Sequence, residues 1–144
     1  VHDRLSVMGA RLAVQTLAEL DEIEPSPQDH ADHTLAPLID RAMARIDWTA
    51  DAQTIHNLVR GFNPWPSAWT TLGGQRLKVH ETRRVDGTGT PGCVIEAGKR
   101  LCVATGDGAV ELVTIQLPGK RAQSGRDVVN GGRIAAGALL GEET

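Results

Sequence analysis

Aromatic side chains are nearly missing from this chain. Its 144 residues include three Trp, one Phe and no Tyr. All four, Trp48, Phe62, Trp65 and Trp69, fall between positions 48 and 69. No aromatic lies in the strand-like runs from Leu72 onward, which argues against a stacking surface of the kind oligonucleotide-binding barrels use. The first expected job of these rings is to anchor a helix onto the fold; stacking on a base is the sharper alternative. Cysteine is scarce as well. Cys93 and Cys102 cannot make a disulfide framework and read as small core residues. No apolar run approaches the ~18 residues of a membrane span. The first twenty residues alternate charged and apolar positions, unlike a secretory signal, so a cytoplasmic location is expected. A phosphate-binding loop is also missing. Gly106-Asp107-Gly108 lies between two strand-like runs and reads as a hairpin turn. His30 and His33, with Asp29 and Asp32, sit in a polar stretch with no second ligand pair, so no metal site is expected. His56 and His80 have no nucleophile arranged beside them in the sequence.

What is present is an ordinary globular composition, 40% hydrophobic and 23% charged, enough to bury one core without metal or disulfide. The net charge of −3 conceals an asymmetry. Residues 1–44 hold three Arg against eight acids, net −5, which leaves twelve basic and ten acidic residues, net +2, in 45–144. A mildly basic body after an acidic head permits nucleic-acid binding without demanding it.

Leu5, Met8, Leu12, Leu17 and Leu20 predict a first helix, ended by Pro25 and Pro27. A polar stretch, 26–34, reads as a linker. A second helix is predicted with Thr49 as N-cap, Asp51 in its first turn and Ile55, Leu58, Val59 and Phe62 as its apolar stripe; Pro64 and Pro66 forbid its continuation. From Ala68 the period changes to two. Strands are predicted over 68–72, 76–81, 93–97, 101–105 and 109–117, spaced as in a small barrel. Ser124 with Asp127 resembles a capping box, which predicts a short helix to about Asn130, and an apolar tail, 133–140, is expected to pack back. If Lys99 and Arg100 are the hairpin's turn residues, Ala97 faces Cys102 and Cys93 faces Gly106. The thiols then lie roughly 13 Å apart along one face, beyond disulfide reach.

Among the basic residues, Arg76 and Lys78 are expected on one strand face, opposite Leu77 and Val79. Lys120 and Arg121 follow Pro118-Gly119 at a loop end, where long cations can reach phosphate. Arg60 joins them as a candidate.

Two stretches carry a family resemblance: Ala44-Arg45-Ile46-Asp47-Trp48 with Arg60-Gly61-Phe62-Asn63-Pro64-Trp65-Pro66-Ser67-Ala68-Trp69-Thr70, and Gln116-Leu117-Pro118-Gly119-Lys120-Arg121 with Asp127 and Asn130-Gly131. Both resemble the C-terminal domain of methionyl-tRNA formyltransferases. Val1-His2-Asp3-Arg4-Leu5 and Gly9-Ala10 are similar to the last helix of that family's catalytic domain, and Pro27-Gln28-Asp29 and Ala36-Pro37 to its linker. Where that linker typically carries Lys, this chain has Leu38. The family moves a formyl group from 10-formyltetrahydrofolate to the methionyl amino group of initiator tRNA. Its chemistry lies in a Rossmann-like domain whose Asn, His and Asp map to nothing here.

The resemblance implies a mainly β fold with flanking helices, an oligonucleotide-binding-type (OB-type) small β-barrel preceded by a helix and linker. It implies three regions: 1–23 the terminal helix of the catalytic domain, 24–47 the linker and 48–144 the tRNA-binding domain. The expected partners are initiator methionyl-tRNA and a catalytic domain lying before Val1. RNA contact is assigned to Lys120, Arg121, Arg76, Lys78 and Arg60, with no catalytic, cofactor-binding or metal residues and no formyl transfer by the chain alone. The alternatives are the matching domain of a formyltransferase acting on a sugar nucleotide or on folate, and a structural appendage without RNA binding.

Overall fold

The computed structural model describes residues 1–142. They fall into two units, Val1–Pro37 and a second that begins at Leu38. In the first, helix α1 (His2–Ala18) carries Leu5, Met8, Leu12 and Leu17, and none of its residues is buried. Residues 23–29 have no regular structure. Among the described residues no helix is long and apolar enough to cross a membrane.

The second unit is mainly β with flanking helices, as expected. Its strands are β1 (Ala68–Leu72), β2 (Gln75–Val85), β3 (Val94–Ala97), β4 (Leu101–Ala104), β5 (Ala109–Gln116) and β6 (Gln123–Ser124). Every pairing between them is antiparallel. The order is β1-β2-β5-β4-β3, with β6 also on β5. Helix α2 (Ala52–Phe62) lays Ala52, Ile55 and Val59 against β2 and β5. Short α3 (Gly125–Asn130) follows β6, its Ser124 hydroxyl accepting from the Asp127 amide at 3.0 Å as the capping pattern predicts.

The cap of α2 differs from the sequence reading. Asp51, not Thr49, is the N-cap, its carboxylate accepting from the Thr54 amide and hydroxyl at 2.8 Å each. Thr49 instead donates its amide and hydroxyl to Asp47, at 2.9 and 2.7 Å. These bonds hold both carboxyls below their ordinary pKa. The reason lies far along the chain. Residues 50–52 run beside the β4–β5 turn, with Gly106 donating to the Ala50 carbonyl and Ala52 to the Asp107 carbonyl. Residues 47–50 form a turn, with Ala50 donating to the Asp47 carbonyl, and Asp51 is extended at φ −70° and ψ 160°, so the helix begins only at Ala52.

The compact unit opens before Trp48, so the boundary drawn there by the sequence reading falls inside it. Ala44 and Ile46 are buried, and their strand-like stretch lies along β1: Ile46 donates to the Trp69 carbonyl and Trp69 to that of Ala44. Strand β2 runs past the predicted end at 81, to Val85. Strict alternation after Leu77 and Val79 would turn the Glu81 carboxylate into the core. A register shift across His80 and Glu81 resets the phase, leaving Glu81 exposed and Thr82 buried opposite Leu112.

The β3–β4 register also differs from expectation. Ala97 pairs Leu101 and Glu96 pairs Cys102, around a three-residue turn of Gly98, Lys99 and Arg100, with a shift between Val94 and Glu96. The Glu96–Arg100 ion pair at 2.8 Å spans this turn. Both cysteines are free. Cys102 is buried, and that burial, with the nearby Glu96 carboxylate, pushes its thiol up to about 11. At pH 8 roughly one Cys102 in a thousand is thiolate, the reactive form. Alkylation of the native protein should therefore modify half-buried Cys93 first and spare Cys102, and two thiols should react after denaturation. Equal native rates, or fewer than two thiols when unfolded, would contradict this arrangement.

Gly106 is needed for close approach. A Cβ there would lie 1.8 Å from the Thr49 carbonyl oxygen. Gly106→Ala should part the two backbones and cost about 3 kcal/mol, the upper end of ordinary overpacking. Gly98→Ala is the control: nothing lies within 4 Å of its Cβ position, so its cost should stay within about 0.5 kcal/mol. Denaturant unfolding of both variants reads the difference, and similar midpoints would refute the assigned contact.

Candidate nucleic-acid interface

The outward face of the β1–β2 hairpin follows from alternation. Ala68, Thr70, Leu77 and Val79 point into the core, so Trp69, Arg76 and Lys78 point away from it. Trp69 is opposite Lys78 in the ladder. Its indole Nε1 donates to the Arg41 carbonyl at 2.8 Å. The Arg76 guanidinium carbon lies 4.2 Å from the Trp69 ring centroid and that of Arg45 lies 5.7 Å away, both within cation–π range. Trp69 thus orients two arginines at the sheet surface.

Beside it is a hollow of about 220 Å³ lined by Arg41, Trp65, Pro66, Trp69, Arg76 and Lys78. It is smaller than the ~300–1,000 Å³ pockets that enclose drug-sized ligands. Three cations line it, and none of its described lining residues is a carboxylate. Trp65 is 63% exposed. It is carried on a turn between Pro64 and Pro66, whose rings fix their own φ. The turn is tied down by Ser67, whose hydroxyl donates to the Pro64 carbonyl at 2.8 Å and whose amide donates to that of Phe62 at 2.9 Å.

The backbone of Lys120 is tied to the end of β5 by Gln116, while Lys120 itself lines a separate hollow with Gln123, Asp127 and Arg133. Gln116 pairs with Lys78 across β2 and β5, and its side-chain amide donates to the Lys120 carbonyl at 2.8 Å. Its Oε1 is 3.0 Å from His80 Nε2. Lys120 and Arg121 are both exposed. Arg60 stands apart, in a hollow with His56, Asn63, His80 and Glu81. Of the five sequence-predicted cations, Arg76 and Lys78 therefore share one hollow, Lys120 and Arg121 lie on the adjoining loop, and Arg60 is beside a carboxylate.

Sequence reasoning missed Arg41, brought in by the stretch before Trp48, and the exposure of Trp65. The Pro-Trp-Pro sequence was the available signal, since a ring between two prolines cannot join a helix interior or a central strand. The anchoring role falls to Trp48, which is buried and donates its Nε1 to the Thr70 hydroxyl at 2.9 Å. A roomier hollow, about 490 Å³, sets Asp51, Asp86 and Asp107 against Arg84, the wrong balance for a polyanion. Among the described residues no group of three or more His, Cys, Asp or Glu could hold a metal.

A small antiparallel sheet with a cationic, tryptophan-bearing face is one of several β architectures used to hold polyanions, and the family follows from comparison. Residues 38–133 match the family described as formyl transferase, C-terminal domain, and the chain belongs to it. It is 45% identical over 140 residues to the methionyl-tRNA formyltransferase of Jannaschia sp. (strain CCS1), covering 97% of this chain and 46% of that one. The methionyl-tRNA formyltransferase of Roseobacter denitrificans is also 45% identical, with 97% and 45% covered. The chain spans about half the length of the curated relatives it matches. Among solved structures, HypX from Aquifex aeolicus superimposes with a TM-score of 0.65 at 21% identity, over 88% of this chain and 23% of that one, a likeness of fold.

If Gln116 fixes the loop after β5, Gln116→Ala should release it. Trypsin should then cut after Lys120 or Arg121 several-fold faster in the variant, with unchanged cutting after Arg100. Equal rates at the loop would show that the side-chain bond does not hold it.

Proposed function

We propose that this chain is the tRNA-holding part of a methionyl-tRNA formyltransferase, acting in the cytoplasm beside a catalytic domain that precedes it. In this reading the helix and polar stretch of residues 1–37 belong to the junction with that domain, and the sheet unit that begins at Leu38 is a small barrel of oligonucleotide-binding type. The parent enzyme formylates the methionyl amino group of initiator tRNA with 10-formyltetrahydrofolate in translation initiation. The chain alone supplies no formyl transfer.

The observation that carries the proposal is the gathering of Arg41, Arg76 and Lys78 in one hollow with no carboxylate among its described lining residues, with the Lys120 loop tied by Gln116 to the adjoining end of β5. The names of the relatives at 45% identity support the same substrate class. Net charge argues against strong binding, since the body carries only +2 over 45–144. A few phosphate contacts remain, each releasing condensed counterion, so affinity is modest and falls steeply with salt.

Titration with initiator tRNA at two salt concentrations tests this. Lys120 and Arg121 changed together to Ala should lower affinity about equally for all tRNAs and flatten the salt slope by roughly one to two units. The fold should survive, because both side chains are exposed. Unchanged affinity and slope would remove this pair from the interface; no tRNA binding by the unaltered chain would remove the whole reading.

A further inference from the structure

We infer that the hollow beside Trp65 is a subsite for one unpaired nucleotide, its base stacked on the Trp65 indole and its phosphate held by Arg76 and Lys78. This rests on the RNA-binding reading and narrows it: the face takes single-stranded RNA in preference to duplex.

The first support is the state of Trp65. At 63% exposure it leaves a large flat apolar face in water. Among the described residues it makes no hydrogen bond or ring contact of its own. Its mounting is nevertheless firm, between Pro64 and Pro66, with Ser67 bonded to the Pro64 and Phe62 carbonyls and Asn63 donating to the His80 carbonyl at 3.1 Å. A ring that is exposed but held loses little conformational freedom when a planar partner arrives.

The second support is that Trp69, the other ring in the hollow, is already engaged. Its Nε1 is bonded to the Arg41 carbonyl and two guanidinium groups lie within cation–π range of its ring. That division of labour gives the hollow a stacking ring and a separate cationic wall. Arg76, set against Trp69, has its guanidinium oriented before any ligand binds, and Lys78 adds a second donor on the same strand face.

The third support is size and chemistry. A hollow of about 220 Å³, with cations and no carboxylate in its described lining, admits one planar ring with an attached phosphate. A base held in a duplex is stacked on its neighbours and cannot offer its face to Trp65, whereas an unpaired base can. Every base has a π face, so the subsite discriminates strandedness rather than sequence.

The test uses the full 144-residue chain and two labelled RNAs with equal numbers of phosphates, an oligoadenylate single strand and a blunt-ended duplex of two complementary strands, in anisotropy titrations. The unaltered chain should prefer the single strand. Trp65→Ala should weaken single-strand binding by about tenfold, with duplex affinity and salt slope unchanged, and Trp65→Phe should recover most of the loss. Arg76→Ala with Lys78→Ala should weaken both RNAs and flatten the salt slope. A thermal melt checks that each variant is folded. Equal single-strand affinity for Trp65→Ala and the unaltered chain overturns the subsite, as does an equal loss on both RNAs. In either case duplex or tRNA binding by the unaltered chain leaves the broader reading standing; if the unaltered chain binds no RNA, both fall.

Discussion

An open sheet has two edge strands whose backbone N–H and C=O groups need partners, and in this unit one segment, residues 137–142, serves both edges. Gly137 donates to the Val94 carbonyl, Val94 to that of Ala138 and Leu140 to that of Gly92, which covers the start of the β3 edge. Gly141 then donates to the Thr71 carbonyl, and the Thr71 hydroxyl to that of Glu142, which covers the end of β1. The rest of the β1 edge is taken by Ala44 and Ile46. The same segment passes close to Trp48: Gly141, at φ +90°, leaves no room for a Cβ, which would meet the indole at 2.9 Å. Trp48 in turn reaches the Thr70 hydroxyl on β1. Edge closure and the packing of the largest core ring are thus one arrangement.

Among the described residues, 44–46 and 137–142 thus pair with part of each edge, and the β1–β2 face is left uncovered. Its composition is set by the phase of β2. Leu77 and Val79 inward force Arg76 and Lys78 outward, and the register shift at His80 and Glu81 then keeps a carboxylate out of the core. Without that shift, burial of the Glu81 charge would cost far more than any contact the outward face gains. The cations at one end of the strand and the irregularity in its middle follow from the same requirement, that each inward position be apolar or hydrogen-bonded.

Local signals in the sequence are the ones the structure follows. Alternation of Arg76, Leu77, Lys78 and Val79 fixed a strand and its faces, Ser124 with Asp127 fixed a helix start, and the scarcity of cysteine fitted free thiols. What could not be read is set by contacts distant in sequence. Thr49 looks like a cap, but the stretch around it is drawn alongside Gly106 and Asp107, so Asp51 caps instead. Ala44 and Ile46 look like linker because their partner, Trp69, lies beyond an entire helix. In the candidate site the same division holds: Arg76 and Lys78 were legible as a face, whereas Arg41 arrives by tertiary packing.

The poverty in aromatics gives the three tryptophans sharply different surroundings, and backbone position decides which is which. Trp48 precedes the helix where the chain turns under the closing tail, so its ring is enclosed and its one polar atom is bonded inside. Trp69 occupies an outward position on an edge strand, so it is half-buried by flanking arginines rather than by core. Trp65 stands on a proline-bounded turn that neither helix nor sheet can absorb, and it meets water. A larger aromatic set could have covered that ring with a neighbour. Here the remaining rings are committed elsewhere, and the groups gathered around Trp65 are cations and a proline. In the proposed subsite, a polyanion that also carries flat apolar rings would match both features of that surface at once, its charge against Arg76 and Lys78 and its ring over the face that the fold leaves bare.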